Sequence, residues 1–165
     1  MIKNKAQRVA IFVDVQNMYH SAKNLYKANV NFAEILKTGL AERQLIRALA
    51  YVINSESREE KGFFGALNKQ GFETKIKDLQ IFYGGAKKAD WDVGITVDMI
   101  RMSESVDVIV LVSGDGDYIP AVEYLQNHGK LVEVLAFKKT TSNKLIEQVD
   151  DFIDLGKKRF LIYKK

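Results

Sequence analysis

Two apolar runs in this chain each lead straight into aspartate. Val9-Ala10-Ile11-Phe12-Val13 ends at Asp14, and Val108-Ile109-Val110-Leu111-Val112 ends at Ser113-Gly114-Asp115-Gly116-Asp117. Runs this short, apolar on every residue, read as parallel strands covered on both faces. An open α/β sheet gathers its ligands where the carboxyl ends of such strands meet. Asp14, Asp115 and Asp117 are therefore expected at one rim. A third segment, Lys88-Ala89-Asp90-Trp91-Asp92, opens a mostly apolar stretch between the two runs. Carboxylates brought together repel one another unless they are protonated or bridged by a cation. The pattern points to a divalent-metal site.

The rest of the chain supplies the elements that such a sheet needs. Helical spacing runs from Val15 to about Lys27, and Asn31 caps a short helix, Phe32 to Thr38, that Gly39 is expected to stop. Leu45 to Ile53 reads as the second strand. Ser55 to Gln70 is a charged amphipathic helix ending at Gly71, and Thr74 to Tyr83 is the third strand, broken by Gly84-Gly85. Residues 91–103 fit both an alternating strand and a helical stripe. A helix is preferred, because a crossover is required between the third strand and the fourth, 106–112. Asp117 is expected to cap the helix that contains Pro120 and ends before Gly129. Leu131 to Ala136 is the fifth strand, and Thr141 or Ser142 caps a last helix through Val149. This alternation predicts an α/β, doubly wound, mostly parallel five-stranded sheet, order 3-2-1-4-5, with helices on both faces.

At 165 residues with 47% hydrophobic content, one domain with a substantial core is expected. No run approaches the roughly 18 apolar residues of a membrane span. The first strand begins too early for a signal peptide, so the cytoplasm is the default expectation. With no cysteine, disulfides and thiolate–metal sites are excluded. The net charge of +4 belongs to the two ends. Residues 1–8 and the basic extension 156–165 contain no acid, while the body between them is net acidic. A basic tail adds phosphate affinity or merely solubilises the end.

Phosphodiester hydrolysis needs an activated water and charge neutralisation at the scissile phosphate, and one or two Mg²⁺ or Mn²⁺ ions supply both. Mg²⁺ is held by a few carboxylates and keeps several waters. Three further matches give these acids a context. Val9 to Asn17 resembles the opening Asp-x-x-Asn segment of the LabA-like NYN domains. Lys88-Ala89-Asp90-Trp91-Asp92-Val93 with the downstream Asp98 resembles that family's Lys-Gly-Val-Asp-Val motif, with one more residue between Lys and Asp. Val112 to Tyr118 is similar to its Ser-Gly-Asp-Ser-Asp-Phe motif, with Gly116 in place of the commoner Ser. Gly129 to Val134 and Asp150 to Leu155 match the usual ending, so the likeness covers roughly residues 8–155. The resemblance implies a PIN-like fold and a metal-dependent ribonuclease. By position it implies metal ligands at Asp14, Asp92, Asp115 and Asp117, with Asn17 bonding a carboxylate or the substrate phosphate. RNA is the implied partner, and a second copy or a protein partner is compatible with it.

Bland readings stand beside these. Asp14 also suits a turn, and Asp92 and Asp117 suit helix N-termini. On a helix, Asp98 points about 120° away from Asp92, so one ion does not easily take both. Ser113 has no histidine placed to activate it, and His20 and His128 read as surface or packing residues. Lys87, Lys88, Arg101, Lys138 and Lys139 are candidate phosphate contacts. Tyr19, Tyr83 and Trp91 are candidates for base stacking, with packing the stronger expectation. A receiver or haloacid-type phosphatase is excluded, since Tyr83-Gly84-Gly85 and Asp14-Val15-Gln16 lack the required acids. A dinucleotide site is excluded because no glycine-rich turn follows the first strand. The remaining rival is an inactive RNA- or protein-binding module of the same fold.

Overall fold

A computed structural model describes residues 3–54, 58–81, 83–84 and 87–164. The chain runs β1 (Arg8–Asp14), α1 (Val15–Tyr26), β2 (Asn29–Val30), α2 (Phe32–Leu40), β3 (Gln44–Asn54), α3 (Arg58–Gln70) and β4 (Glu73–Asp78). It continues through β5 (Gln80–Ile81), β6 (Lys87–Lys88), α4 (Asp92–Met102), β7 (Val108–Val112), α5 (Ile119–Asn127), β8 (Leu131–Ala136), α6 (Asn143–Gln148), β9 (Asp151–Asp154) and β10 (Leu161–Ile162).

The main sheet has six strands in the order β4-β3-β1-β7-β8-β9, and every neighbouring pair is parallel. The expected five-strand order is present within it, and β9 adds a sixth strand at one edge. β1 lies between β3 and β7, with Val13 opposite Ala50 on one side and Val112 on the other. Strand order reverses direction between β1 and β7, which opens a crevice at their carboxyl ends. Right-handed crossovers then put α1, α2 and α3 on one face and α4, α5 and α6 on the other. The contacts of α2 with α3, and of α5 with α4 and α6, agree. Val9 to Val13 and Val108 to Val112 have essentially no exposed surface, as runs covered on both faces require.

Several element ends differ from the sequence expectation. Gly39 does not stop α2; it lies inside the helix against the sheet. A Cβ there would sit 3.3 Å from Val110 Cγ1 and 3.4 Å from Ile11 Cδ1, so glycine lets the helix approach the strands. Ala41, in the left-handed region at φ 49°, ends the helix instead. The third sheet strand stops at Asp78, and the chain turns into the small β5–β6 antiparallel pair. Gly71 and Gly129 take positive φ after α3 and α5, as expected of helix stops. Residues 55–57, 82 and 85–86, where the helix start at Ser55 and the Gly84-Gly85 break were expected, lie partly or wholly outside the described residues.

The basic extension is tied into the fold. Phe160 is fully buried, and Leu161 and Ile162 pair antiparallel with Val30 and Asn29. Toward the amino ends of the strands, Arg43 donates 2.8 and 2.9 Å hydrogen bonds to the two carboxylate oxygens of Glu133, both side chains wholly buried. No described helix is long and apolar enough to cross a membrane.

Candidate metal centre

β1 delivers Asp14 to the carboxyl rim and α1 begins at the next residue. Asp14 Oδ1 accepts from the Asn17 backbone N–H at 3.1 Å and caps the helix. Among the described residues the Asn17 side chain makes no hydrogen bond to a carboxylate. Its Oδ1 accepts from the Gly114 N–H at 3.2 Å and so ties the end of β1 to the turn after β7. In that turn Asp115 Oδ1 accepts from the Asp117 N–H at 2.9 Å. Asp117 does not cap α5 as expected; Asp115 caps a 3₁₀ turn over Gly116–Tyr118 ahead of α5, whose own N-cap is Tyr118 with no side-chain cap. The extra turn arises because Pro120 occupies the first turn of α5 and fixes the α-helix start beyond Asp117.

The glycines of this turn answer to α6. A Cβ on Gly114 would lie 2.6 Å from Thr141 Oγ1 and 3.1 Å from Thr141 Cα. A Cβ on Gly116 would lie 3.0 Å from Ser142 Oγ, so Ser142 fills the space that a side chain at 116 would need. Ser142 is also the N-cap of α6.

Asp92 arrives from the far side of the sheet on the first residue of α4. Trp91 anchors that end. Its Nε1 donates to the Val52 carbonyl at 2.9 Å, and its ring meets Tyr51 edge-on at 5.2 Å. Trp91 is thus a packing residue, as is the case for Asp98 nearly two turns later. Asp98 accepts from Tyr51 Oη at 2.7 Å and Lys75 Nζ at 2.6 Å, with Arg101 at 3.7 Å. It faces the β3–β4 side, away from the acids.

Asp92, Asp115 and Asp117 each present a carboxylate oxygen within 4.8 Å of the others. Ligands on one Mg²⁺ are about 3 Å apart when adjacent and about 4.2 Å apart when opposite, from bonds of about 2.1 Å. Three donors on one such ion need at least two of their separations at about 3 Å, so these side chains would close inward around it. Asp14 is not in that trio. It joins through Tyr118, whose buried hydroxyl lies 3.2 Å from Asp92 Oδ1 and 3.4 Å from Asp14 Oδ2. A cavity of about 400 Å³ opens beside them, lined among others by Asp14, Asn17, Asp90, Asp92 and Asp115. Asp117 is exposed.

The electrostatics fit a cation. Among the described residues, no Lys or Arg forms an ion pair with Asp14, Asp90, Asp92, Asp115 or Asp117. Burial, then the charges of Asp115, Asp14 and Asp90, raise the Asp92 carboxyl to about 6. Burial also raises Asp14, against hydrogen bonds from Asn17 and Tyr118. Burial and the neighbouring carboxylates hold the proton on Tyr118, which keeps it a donor. Oxygen donors alone, with no thiolate or imidazole in the trio, suit Mg²⁺ or Mn²⁺.

Of the expected phosphate cations, Arg101 is paired with Asp98, and Lys139 lies 5.7 Å from the Tyr26 ring centroid. The side chains of Lys87 and Lys88 lie outside the described residues. Sequence reasoning missed Tyr118, Ser21, Asn24 and Thr140, and it set His20 aside; the last four line the acidic cavity. A signal for three of them existed. Asn17, His20, Ser21 and Asn24 follow helical spacing on one polar stripe of α1.

The sequence model of the NYN domain matches residues 8–156. The chain belongs to the NYN domain family. This NYN domain is 29% identical to the low amplitude and bright protein LabA of Synechococcus elongatus, over 97% of this chain and 90% of that protein. The likeness makes it a LabA-like NYN domain. It also superimposes on the crystal structure of a Vibrio parahaemolyticus protein of unknown function with a TM-score of 0.89. That match has 35% identity and covers 98% of this chain and all of that one. The NYN domain's all-parallel sheet and helical layers have the PIN-like, doubly wound form.

Proposed function

We propose that this NYN domain is a divalent-metal-dependent ribonuclease that hydrolyses phosphodiester bonds at the acidic crevice between β1 and β7. The observation that carries the reading is a set of convergent carboxylates with no cation partner among the described residues. Such a set is costly unless a cation joins it. Asp92, Asp115 and Asp117 would hold Mg²⁺ or Mn²⁺, and Asp14 would accept a hydrogen bond from a metal-bound water. The ion would supply charge neutralisation at the phosphate and a bound water that gives up its proton more readily than bulk water. The protein's own part is placement. Tyr118 steadies Asp14 and Asp92 with one hydroxyl, and Asn17 fixes the turn that carries Asp115. Membership of the NYN family supports the nuclease reading and RNA as its substrate.

The test pairs Mn²⁺ calorimetry with cleavage of an end-labelled single-stranded RNA. Wild-type protein should bind Mn²⁺ and cleave in Mn²⁺ or Mg²⁺ but not in EDTA. Asp115→Asn should bind the ion more weakly and cleave orders of magnitude more slowly. Wild-type protein that neither binds Mn²⁺ nor cleaves RNA would make the domain a binding module that has kept the fold.

A further inference from the structure

A second cavity, of about 760 Å³, lies between α1, α3, the start of α2 and the end of β3, with β10 along one side. Gln16 and His20 line both this cavity and the acidic one, so the two are lobes of one groove with those side chains on the ridge. The lobes differ in charge. The acidic lobe is lined by Asp14, Asp90, Asp92 and Asp115, whereas the described residues that line the larger lobe include Lys23 and Lys164 and no acid.

The walls of the larger lobe also divide by chemistry. Phe32, Val52 and Leu67 give it a buried apolar floor. Tyr19 stands at the rim with 49% of its surface exposed, and Lys23 Nζ lies 5.7 Å from its ring centroid. The side-chain amides of Gln16, Asn29 and Gln70 also line the lobe and have no hydrogen-bond partner among the described residues. A purely aliphatic ligand would leave the amides and both cations unused. A flat, polar-edged ring attached to phosphate uses the floor, the aromatic face, the amides and the charges together.

We infer that this lobe seats an unpaired base of a single-stranded RNA, beside the phosphate held at the acidic crevice. Tyr19 is the stacking platform, the amides meet the base edge, and Lys23 and Lys164 take the flanking phosphates. A base inside a duplex is already stacked and paired and does not enter such a lobe. The inference rests on the nuclease reading for the position of the phosphate, and it adds a base subsite beside it.

Binding is measured by fluorescence anisotropy in EDTA, with a labelled single-stranded oligoribonucleotide, an abasic strand of the same length and an RNA duplex. Wild-type protein should prefer the single strand to the other two. Tyr19→Ala should weaken single-strand binding about tenfold, the loss expected of one stacked base, and leave abasic binding unchanged. Tyr19→Phe keeps the ring and should bind like wild type. Equal binding by Tyr19→Ala and wild type, or equal loss toward the abasic strand, would overturn the inference. Mn²⁺-dependent cleavage by the wild-type protein is read separately. Cleavage with no base-dependent binding removes the base lobe and leaves the nuclease. Base-dependent binding lost in Tyr19→Ala, with no cleavage by wild type, removes the nuclease and leaves the lobe.

Discussion

Replacing Asp92 by Asn separates an acid placed for a cation from one placed for stability. Burial and the charges of Asp115, Asp14 and Asp90 lift its carboxyl from 3.8 to about 6. At about 1.36 kcal/mol per unit the full shift corresponds to about 3 kcal/mol of destabilisation above pH 6. The side chain is only partly buried, and solvent screening reduces that to about 1 kcal/mol. The folded carboxyl keeps its proton to higher pH than the unfolded one. Folded protein therefore holds more protons between about pH 4 and 6, and stability falls as pH rises through that window. Asn keeps an acceptor for Tyr118 and carries no charge. Without metal, Asp92→Asn and wild type should melt together at pH 4. At pH 8 the variant should melt about 2–4 °C higher, the shift that about 1 kcal/mol gives in a domain of this size. With Mn²⁺ the order should reverse, since an ion at 100 times its dissociation constant adds about 2.7 kcal/mol to the form that binds it. Thermal melts at pH 4 and 8, with EDTA or Mn²⁺, measure all four cases. A variant that melts lower than wild type at pH 8 in EDTA would refute the reasoning and make Asp92 a structural acid.

Asp98→Asn should behave in the opposite way. Burial works against the Asp98 charge, but hydrogen bonds from Lys75 and Tyr51 and the nearby cations outweigh it and lower its pKa. The variant should lose about 1 kcal/mol in urea unfolding at pH 7, with the deficit disappearing as the pH falls below about 4. Gly114→Ala puts a Cβ against the Thr141 backbone and side chain, so it should cost about 1–3 kcal/mol and weaken Mn²⁺ binding in calorimetry by displacing Asp115. Arg43→Met leaves Glu133 buried with Lys3, at 3.6 Å, as its remaining cation among the described residues. It should lower stability by about 3 kcal/mol in urea unfolding while Mn²⁺ affinity holds, because the pair lies away from the carboxyl rim.

The sheet order was legible because Val9–Val13 of β1 and Val108–Val112 of β7 are apolar on every residue, a pattern that only a doubly covered strand sustains. The ambiguous stretch from 91 was settled by topology rather than by periodicity, since two parallel strands need a crossover between them. β9 escaped because Asp151-Phe152-Ile153-Asp154 is short, begins and ends with acid and is only partly buried at every residue. Edge strands carry little hydrophobic signal. The acids at 14, 92 and 115 were visible as types at strand and helix ends. The cap at Asp115 in place of Asp117 was not, because two aspartates two residues apart look alike until the 3₁₀ turn separates them. Tyr118 gave no local sign of its role. Its hydroxyl matters only because the turn after β7 brings it between acids from β1 and α4.

The pairing of β1 with β7 has a consequence for how the protein comes into being. Arg8 and Asp107, at the start of that pairing, are 99 residues apart in the chain. Contacts this distant are slow to form, because the closure entropy of the loop is lost before any contact offsets it. During synthesis Asp14 emerges early and Asp92 much later, but neither has the partners of the site until β7 inserts beside β1 and carries Asp115, Asp117 and Tyr118 into place. A ribosome-bound or truncated chain that stops short of β7 holds two of the acids and no crevice. The acidic crevice is therefore completed only with the last central strand, and nascent or broken chains that stop short of β7 are denied it by topology.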